Sequence, residues 1–200
     1  MKKIYIIIVI LISICFYNNV FANNIDNNVE EINKFINDFS IEFEKISSIK
    51  DENLKKESLY KLSNKILDLN WMGNFILGKH RNNIKPNDKK EFIELYSKLL
   101  IQNYIPILDV YKKDGYKIIS IESKKENTFN VLTLINYNDK EVKNSFRIIK
   151  KNNNYFIIDI ITEGISFISS QRSEVNSIIT SKGFDNFLND LRKRNNDNNK

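Results

Sequence analysis

The feature that most constrains this chain is a change of hydrophobic period at Gly115. Upstream, apolar residues recur every three or four positions. Downstream, they alternate over four runs: Tyr116–Glu122, Thr128–Tyr137, Val142–Lys150 and Tyr155–Ile161. The links between these runs are short and carry Asn, Asp, Lys and Glu. Asn138-Asp139-Lys140 and Asn152-Asn153-Asn154 are good hairpin turns. Three short links in succession predict an antiparallel meander, because parallel neighbours would need long crossovers.

Helical patterns flank the meander. Ile25, Val29, Ile32, Ile36, Phe39, Phe43 and Ile46 define one long amphipathic helix, and Leu59, Leu62, Ile66 and Leu69 a second. A short third pattern covers Trp71 to Leu77 and stops near Gly78. Asn87 or Asp88, with Glu91 as capping-box partner, opens a fourth. Its stripe runs Phe92, Leu95, Tyr96, Leu99, Leu100, Tyr104, Leu108, Tyr111, and Pro106 should kink or end it near Ile105. Ser166 to about Lys182, ending at Gly183, and Asp185 to Arg194 supply the last two. The expected class is α+β: a curved antiparallel sheet of about four strands, packed against helices from both ends of the chain.

Residues 1–22 read as a secretory signal. Lys2 and Lys3 precede the apolar run Ile4–Phe16, and Val20-Phe21-Ala22 places a small residue before a cleavage point after Ala22. The run is shorter than the roughly 20 residues a spanning helix needs. An uncleaved anchor is one alternative. A lipoprotein acylated at Cys15 is another, although Ile14 stands where a small residue is wanted. Residues 23–194 then form one domain, and the polar stretch 195–200 is a disordered tail.

Cleavage lowers the formal charge from +6 to +4, since residues 1–22 hold two lysines and no acids. This mild excess suits anionic head groups or acidic partner surfaces and is too diffuse for nucleic acid. Cleavage also removes the sole cysteine, which excludes thiolate chemistry and cysteine–metal sites. The sole histidine, His80, lies in a polar stretch and reads as a surface loop residue. The five glycines are isolated, so no phosphate loop exists. No metal, cofactor or catalytic group is expected.

Asp159 interrupts the apolar strand Ile157–Ile161, and Thr-Glu163-Gly164-Ile-Ser166 follows as an unusual strand-to-helix turn. Asp159 should be held by backbone N–H groups or an arginine, and Ser166 should cap the next helix. Acid–base use of Asp159 with Glu163 is the lesser reading, because no second catalytic group accompanies them. The mature chain also has more apolar and aromatic surface than a core needs. The helices offer Trp71, Phe75, Ile76, Phe92, Tyr96, Leu99, Tyr104 and Tyr111. The strands and the corner offer Val131, Ile135, Phe146, Ile148, Phe156, Ile158 and Phe167. A sheet backed by helices can enclose an apolar cavity, here expected between the sheet and helices 71–77 and 88–111. Sequence alone does not separate a cavity from a filled core.

Two blocks resemble the MlaC-type (toluene-tolerance) periplasmic phospholipid carriers. One is Asn74-Phe75-Ile76-Leu77-Gly78-Lys79 with Lys85–Phe92, Tyr104 and Tyr111. The other runs from Tyr155 to Leu191 and contains Asp159, Glu163, Gly164, Ser166, Arg172, Gly183 and Leu188. Together they span roughly 66–192. Tyr155, Gln171 and Val175 stand where the family usually has Trp, Tyr and Phe, and Pro106 is also a departure. The resemblance implies a monomeric periplasmic shuttle that carries phospholipid in the apolar cavity. Its partners would be an outer-membrane lipoprotein–porin complex and an inner-membrane ABC transporter with a ring-forming periplasmic substrate-binding subunit. The role would be to preserve outer-membrane lipid asymmetry. It also implies a structural corner at Asp159, Glu163, Gly164, Ser166 and Arg172. The alternatives are a non-carrying periplasmic adaptor and an exported enzyme on a cone-shaped α+β fold.

Overall fold

The computed structural model describes residues 27–108, 116–137 and 140–197. The signal-like residues 1–22, Cys15, Tyr111 and the turn residues Asn138 and Asp139 lie outside them, as does the side chain of Tyr104. The chain forms two compact units, Met1–Asp38 and Phe39–Lys200. Of the first, residues 27–38 are described; they are helical, with Ile32 and Ile36 fully buried.

The second unit opens with helical residues 39–47, so that α1 covers 27–47. It continues with α2 (Glu52–Ile66), α3 (Leu69–Leu77), a 3-10 turn (Gly78–Asn82) and α4 (Pro86–Leu108). Four long strands follow: β1 (Tyr116–Lys125), β2 (Thr128–Tyr137), β3 (Lys140–Lys151) and β4 (Asn154–Thr162). A two-residue β5 (Ile165–Ser166), α5 (Phe167–Lys182) and α6 (Phe184–Asp197) complete it.

The sheet is wholly antiparallel in the order β1-β2-β3-β4-β5, the meander that the short links require. Asn152 and Asn153 both adopt positive φ, 51° and 60°, the backbone of a type I′ hairpin turn. Glu163 and Gly164 do the same at 49° and 82°, folding β4 back into β5. That fifth strand is an addition to the four expected; two residues are too few to show alternation.

The helices depart from expectation at four points. Asp68 ends the second pattern early: its carboxylate accepts from the Trp71 N–H at 2.9 Å and starts α3. Helix α4 begins at Pro86, ahead of Asn87 and Asp88, because proline at the first helical position loses no hydrogen bond and presets φ. It continues past Pro106 to Leu108, so the proline does not end it at Ile105, and the bond its missing N–H would make is forgone. The last helix includes residues 195–197, which the polar composition assigned to the tail. Asn195 is buried and its side-chain amide donates to the carbonyls of Leu95 and Leu191.

Apolar clusters among the described residues hold the helices of the second unit. Ile76, Leu77, Phe92, Tyr96, Val175, Ile179, Phe187, Leu188 and Leu191 join α3, α4, α5 and α6. Ile46, Leu59 and Leu62 form another, with Phe39, Phe43 and Ile101 against them. At the surface, Arg192 grips Glu91 through two hydrogen bonds of 2.6 and 2.7 Å, and Lys182 pairs with Asp190. The guanidinium hydrogen bond holds the Glu91 carboxyl below its ordinary range, and the lysine does the same to Asp190.

Candidate functional site

Pairing register sorts the strand residues onto two faces. Phe129, Val131, Thr133 and Ile135 of β2 stand opposite Ile148, Phe146, Asn144 and Val142 of β3. Val131, Thr133 and Ile148 have no exposed surface. This face is apolar except for Thr133 and the buried Asn144; the Thr133 hydroxyl donates to the Asn144 carbonyl at 3.2 Å. Four of the expected cavity residues, Val131, Ile135, Phe146 and Ile148, therefore share one surface. The ring of Phe39 meets Phe146 edge-on at 6.1 Å.

Strand β4 breaks the simple alternation. Ile157 pairs with Ile148 but Asp159 pairs with Arg147, which leaves Ile158 as the extra residue of a β-bulge. Ile157 and Ile158 are consequently both buried, and Asp159 moves to the face opposite Ile157. Phe156, expected with Phe146 and Ile148, pairs with Ile149 on the other face and is half-buried.

The helical candidates separate from the sheet group. Ile76, Phe92 and Tyr96 lie in the four-helix cluster, with Leu99 against it, and side chains from α5 and α6 fill the space beside them. Periodicity identifies such a stripe without saying which neighbour covers it. Tyr96 also donates to the Gln171 amide oxygen at 2.5 Å, so Gln171 has a specific partner. Trp71 and Phe75 stack at 5.3 Å along one side of α3, and Trp71 is 37% exposed. Phe167 is half-buried at the start of α5.

At the strand-to-helix corner Asp159 is fully buried. It accepts from the Ser166 hydroxyl at 2.7 Å and the Ile168 N–H at 3.2 Å, and Arg147 approaches to 3.4 Å. Ser166 in turn accepts from the Ser169 N–H as the N-cap of α5. Glu163 accepts from the Lys143 N–H at 2.7 Å. Arg172, expected at this corner, is elsewhere: one helical turn separates it from Ile168, and its guanidinium lies 5.0 Å from the centre of the Phe75 ring. The corner arginine is Arg147, which cross-strand register alone could have identified.

Two hollows open on the helical layer. One, of about 260 Å³, is lined by Leu77, Gly78, Lys79, Arg172, Ser173 and Asn176. The other, of about 290 Å³, lies among Tyr96, Leu99, Gln171, Val175, Phe187 and Leu191, with Glu174 and Arg194 also in its lining. Both fall just below the roughly 300–1,000 Å³ that ligand sites occupy. His80 is half-buried and not a loop residue: it sits in the 3-10 turn with Nε2 3.0 Å from the Asn176 side-chain oxygen. Among the described residues no group of His, Asp or Glu could hold a metal ion, and no helix is long and apolar enough to cross a membrane.

An apolar sheet face, a filled helical cluster and a carboxylate spent on capping a helix describe an architecture built around burial. The family profile described as MlaC protein matches residues 26–193. The chain belongs to the MlaC family. Among solved structures, this MlaC-family chain is similar to the phospholipid-binding protein from Ralstonia solanacearum, determined in complex with a phospholipid. The TM-score is 0.70 at 17% identity, covering 82% of this chain and 97% of that one, a likeness of fold. No curated protein matches it.

Proposed function

We propose that this protein is a periplasmic phospholipid carrier, exported by a signal cleaved after Ala22, with residues 23–194 acting as one lipid-binding domain. Membership of the MlaC family over residues 26–193 carries the reading. The fold shared with a phospholipid-binding protein supports it. So does the apolar face of Val131, Ile135, Phe146 and Ile148, where the acyl chains would lie once Phe39 and its neighbours give way. As a monomer it would exchange lipid with an outer-membrane lipoprotein–porin complex and with the periplasmic ring of an inner-membrane ABC transporter, maintaining outer-membrane asymmetry.

Carriage makes a particular energetic demand. Burying two acyl chains removes about 30 methylenes from water at about 0.8 kcal/mol each, roughly 20–25 kcal/mol in all. A bilayer returns nearly the same, so carrier and membrane must be closely balanced, and a largely apolar surface for the tails meets that need. A binding role fits better than an enzymatic one, because the buried carboxylates among the described residues are committed: Asp159 to Ser166, Ile168 and Arg147, and Asp68 to the Trp71 N–H and Lys151.

Native mass spectrometry of the exported chain, purified without detergent and followed by lipid extraction, tests this. A stoichiometric phospholipid adduct is expected. A clean apo mass that also takes no lipid from vesicles would leave a non-carrying adaptor. Replacing Val131 or Ile135 with arginine should abolish the adduct while circular dichroism shows the fold retained; an unchanged lipid content would refute the sheet-face placement.

A further inference from the structure

The hollow at Gly78 is cationic and specifically constructed. Arg172 is fixed on two sides. Its guanidinium stacks over Phe75, and a Cβ at Gly78 would come within 2.8 Å of its Nε. Gly78 also has φ +53°, a backbone that other residues rarely adopt, so glycine serves both the chain path and the close approach. Lys79 extends from the same turn. Asn176 is oriented by its contact with His80, and Ser173 adds a hydroxyl. No carboxylate lines the hollow. Among the described residues neither Lys79 nor Arg172 has an acidic partner, whereas Arg147 and Arg192 do. A planar guanidinium held still beside an ammonium, a hydroxyl and an amide matches a tetrahedral oxyanion.

Helix α3 gives this site a direction. Its nine residues rise about 13 Å from Asp68, whose N–H donates to the Ile157 carbonyl on β4, to Gly78 at the hollow. Trp71 and Phe75 stack along that path, and Phe75 carries Arg172 on its ring. The strip thus runs from the sheet, where the acyl chains are placed by the carrier reading, to the fixed cation, the order of tail and anionic tip in an amphiphile.

We propose that the Lys79–Arg172 hollow binds a phosphate ester, supplied in the loaded protein by the head group of the carried lipid. The source of the phosphate rests on the carrier reading; the anion site does not. Two measurements separate them. The full exported chain is incubated with vesicles containing phosphatidylglycerol or diacylglycerol of the same chains, and adducts are counted by native mass spectrometry. Separately, glycerol phosphate is titrated against glycerol, read by the fluorescence of Trp71, the single tryptophan.

The wild type should prefer the phospholipid roughly tenfold or more, and Lys79→Gln and Arg172→Gln should each remove most of that preference while diacylglycerol uptake persists. Arg172→Lys should restore part of it. Lys79 is exposed, so its variant reports even if Arg172→Gln fails to fold. Equal uptake of both lipids by wild type and variants would overturn the anion site and leave the carrier. Glycerol phosphate binding that the variants lose, without uptake of either lipid, would keep the site with a free phosphate as ligand and overturn the carrier. A wild type that takes neither lipid nor glycerol phosphate would overturn both.

Discussion

Replacing Asp159 with alanine is the substitution whose cost the structure fixes most closely. The carboxylate serves three donors that fare differently when it is removed. The Ser166 hydroxyl already lies 2.9 Å from the Ser169 hydroxyl and can turn to it. Arg147 is 41% exposed, so water can solvate its guanidinium, and the loss there is that of a weak surface pair, about 1 kcal/mol or less. The Ile168 N–H is buried beneath a side chain with no exposure and sits in the first turn of α5; stranding it costs about 1–3 kcal/mol. With the favourable charge at a helix N-terminus also gone, the total is about 3 kcal/mol. For a chain of this size that lowers Tm by about 6–12 °C. Urea denaturation of the wild type, Asp159→Ala, Asp159→Asn and Arg147→Gln should rank Ala worst and Gln mildest, with unchanged m-values. Arg147→Gln costing as much as Asp159→Ala would refute the reasoning, because the ion pair and not the helix contact would then hold the corner.

Gly78→Ala should cost about 1–2 kcal/mol from its positive φ alone and should also displace Arg172, visible as a change in Trp71 emission through Phe75. Glu91→Gln should speed amide exchange in α6 at neutral pH. The Glu91 carboxyl is held below its ordinary value of 4.5, so its contribution is full above that pH and is lost as the pH falls through the lower folded-state value; wild type and variant should converge in acid, and a gap that persists at pH about 2 would count against the Arg192 pairing. Ser166→Ala should cost about 1 kcal/mol as a lost N-cap, with protection in the first turn of α5 reduced before that of its last turn.

Much of the fold is legible in the residues. The asparagine pair Asn152-Asn153 tolerates the left-handed backbone that a tight hairpin needs, so the β3–β4 link declares itself. Ser166 and Asp159 declare the corner, since a charge inside an apolar strand must be satisfied locally. What is not legible depends on partners distant in sequence. Arg147 and Arg172 are equally plausible mates for Asp159 until β3 is set beside β4 in register. Ile76, Phe92 and Tyr96 fit a cavity lining or a helical core equally well, and only the arrival of α5 and α6 decides. Regular alternation would set Phe156 on one face with Ile158, a rule that one extra residue invalidates. Lys79 and Asn176 carry no signal of their own; they matter because a glycine lets an arginine lie between them.

The bulge at Ile158 divides β4 into two stretches with opposite phase. Upstream, odd-numbered positions such as Tyr155 and Ile157 face the apolar side; downstream, the odd position Asp159 belongs to the helix junction. Before Ile158 the interior is reached from Tyr155 and Ile157; after it Asp159 serves the junction, while Ile160, opposite Phe146, returns to the interior face. Deleting Ile158 would leave Ile157 opposite Ile148 and the carboxylate opposite Arg147; what the extra residue adds is a second adjacent buried side chain and a local increase in twist where the strand hands over to the junction.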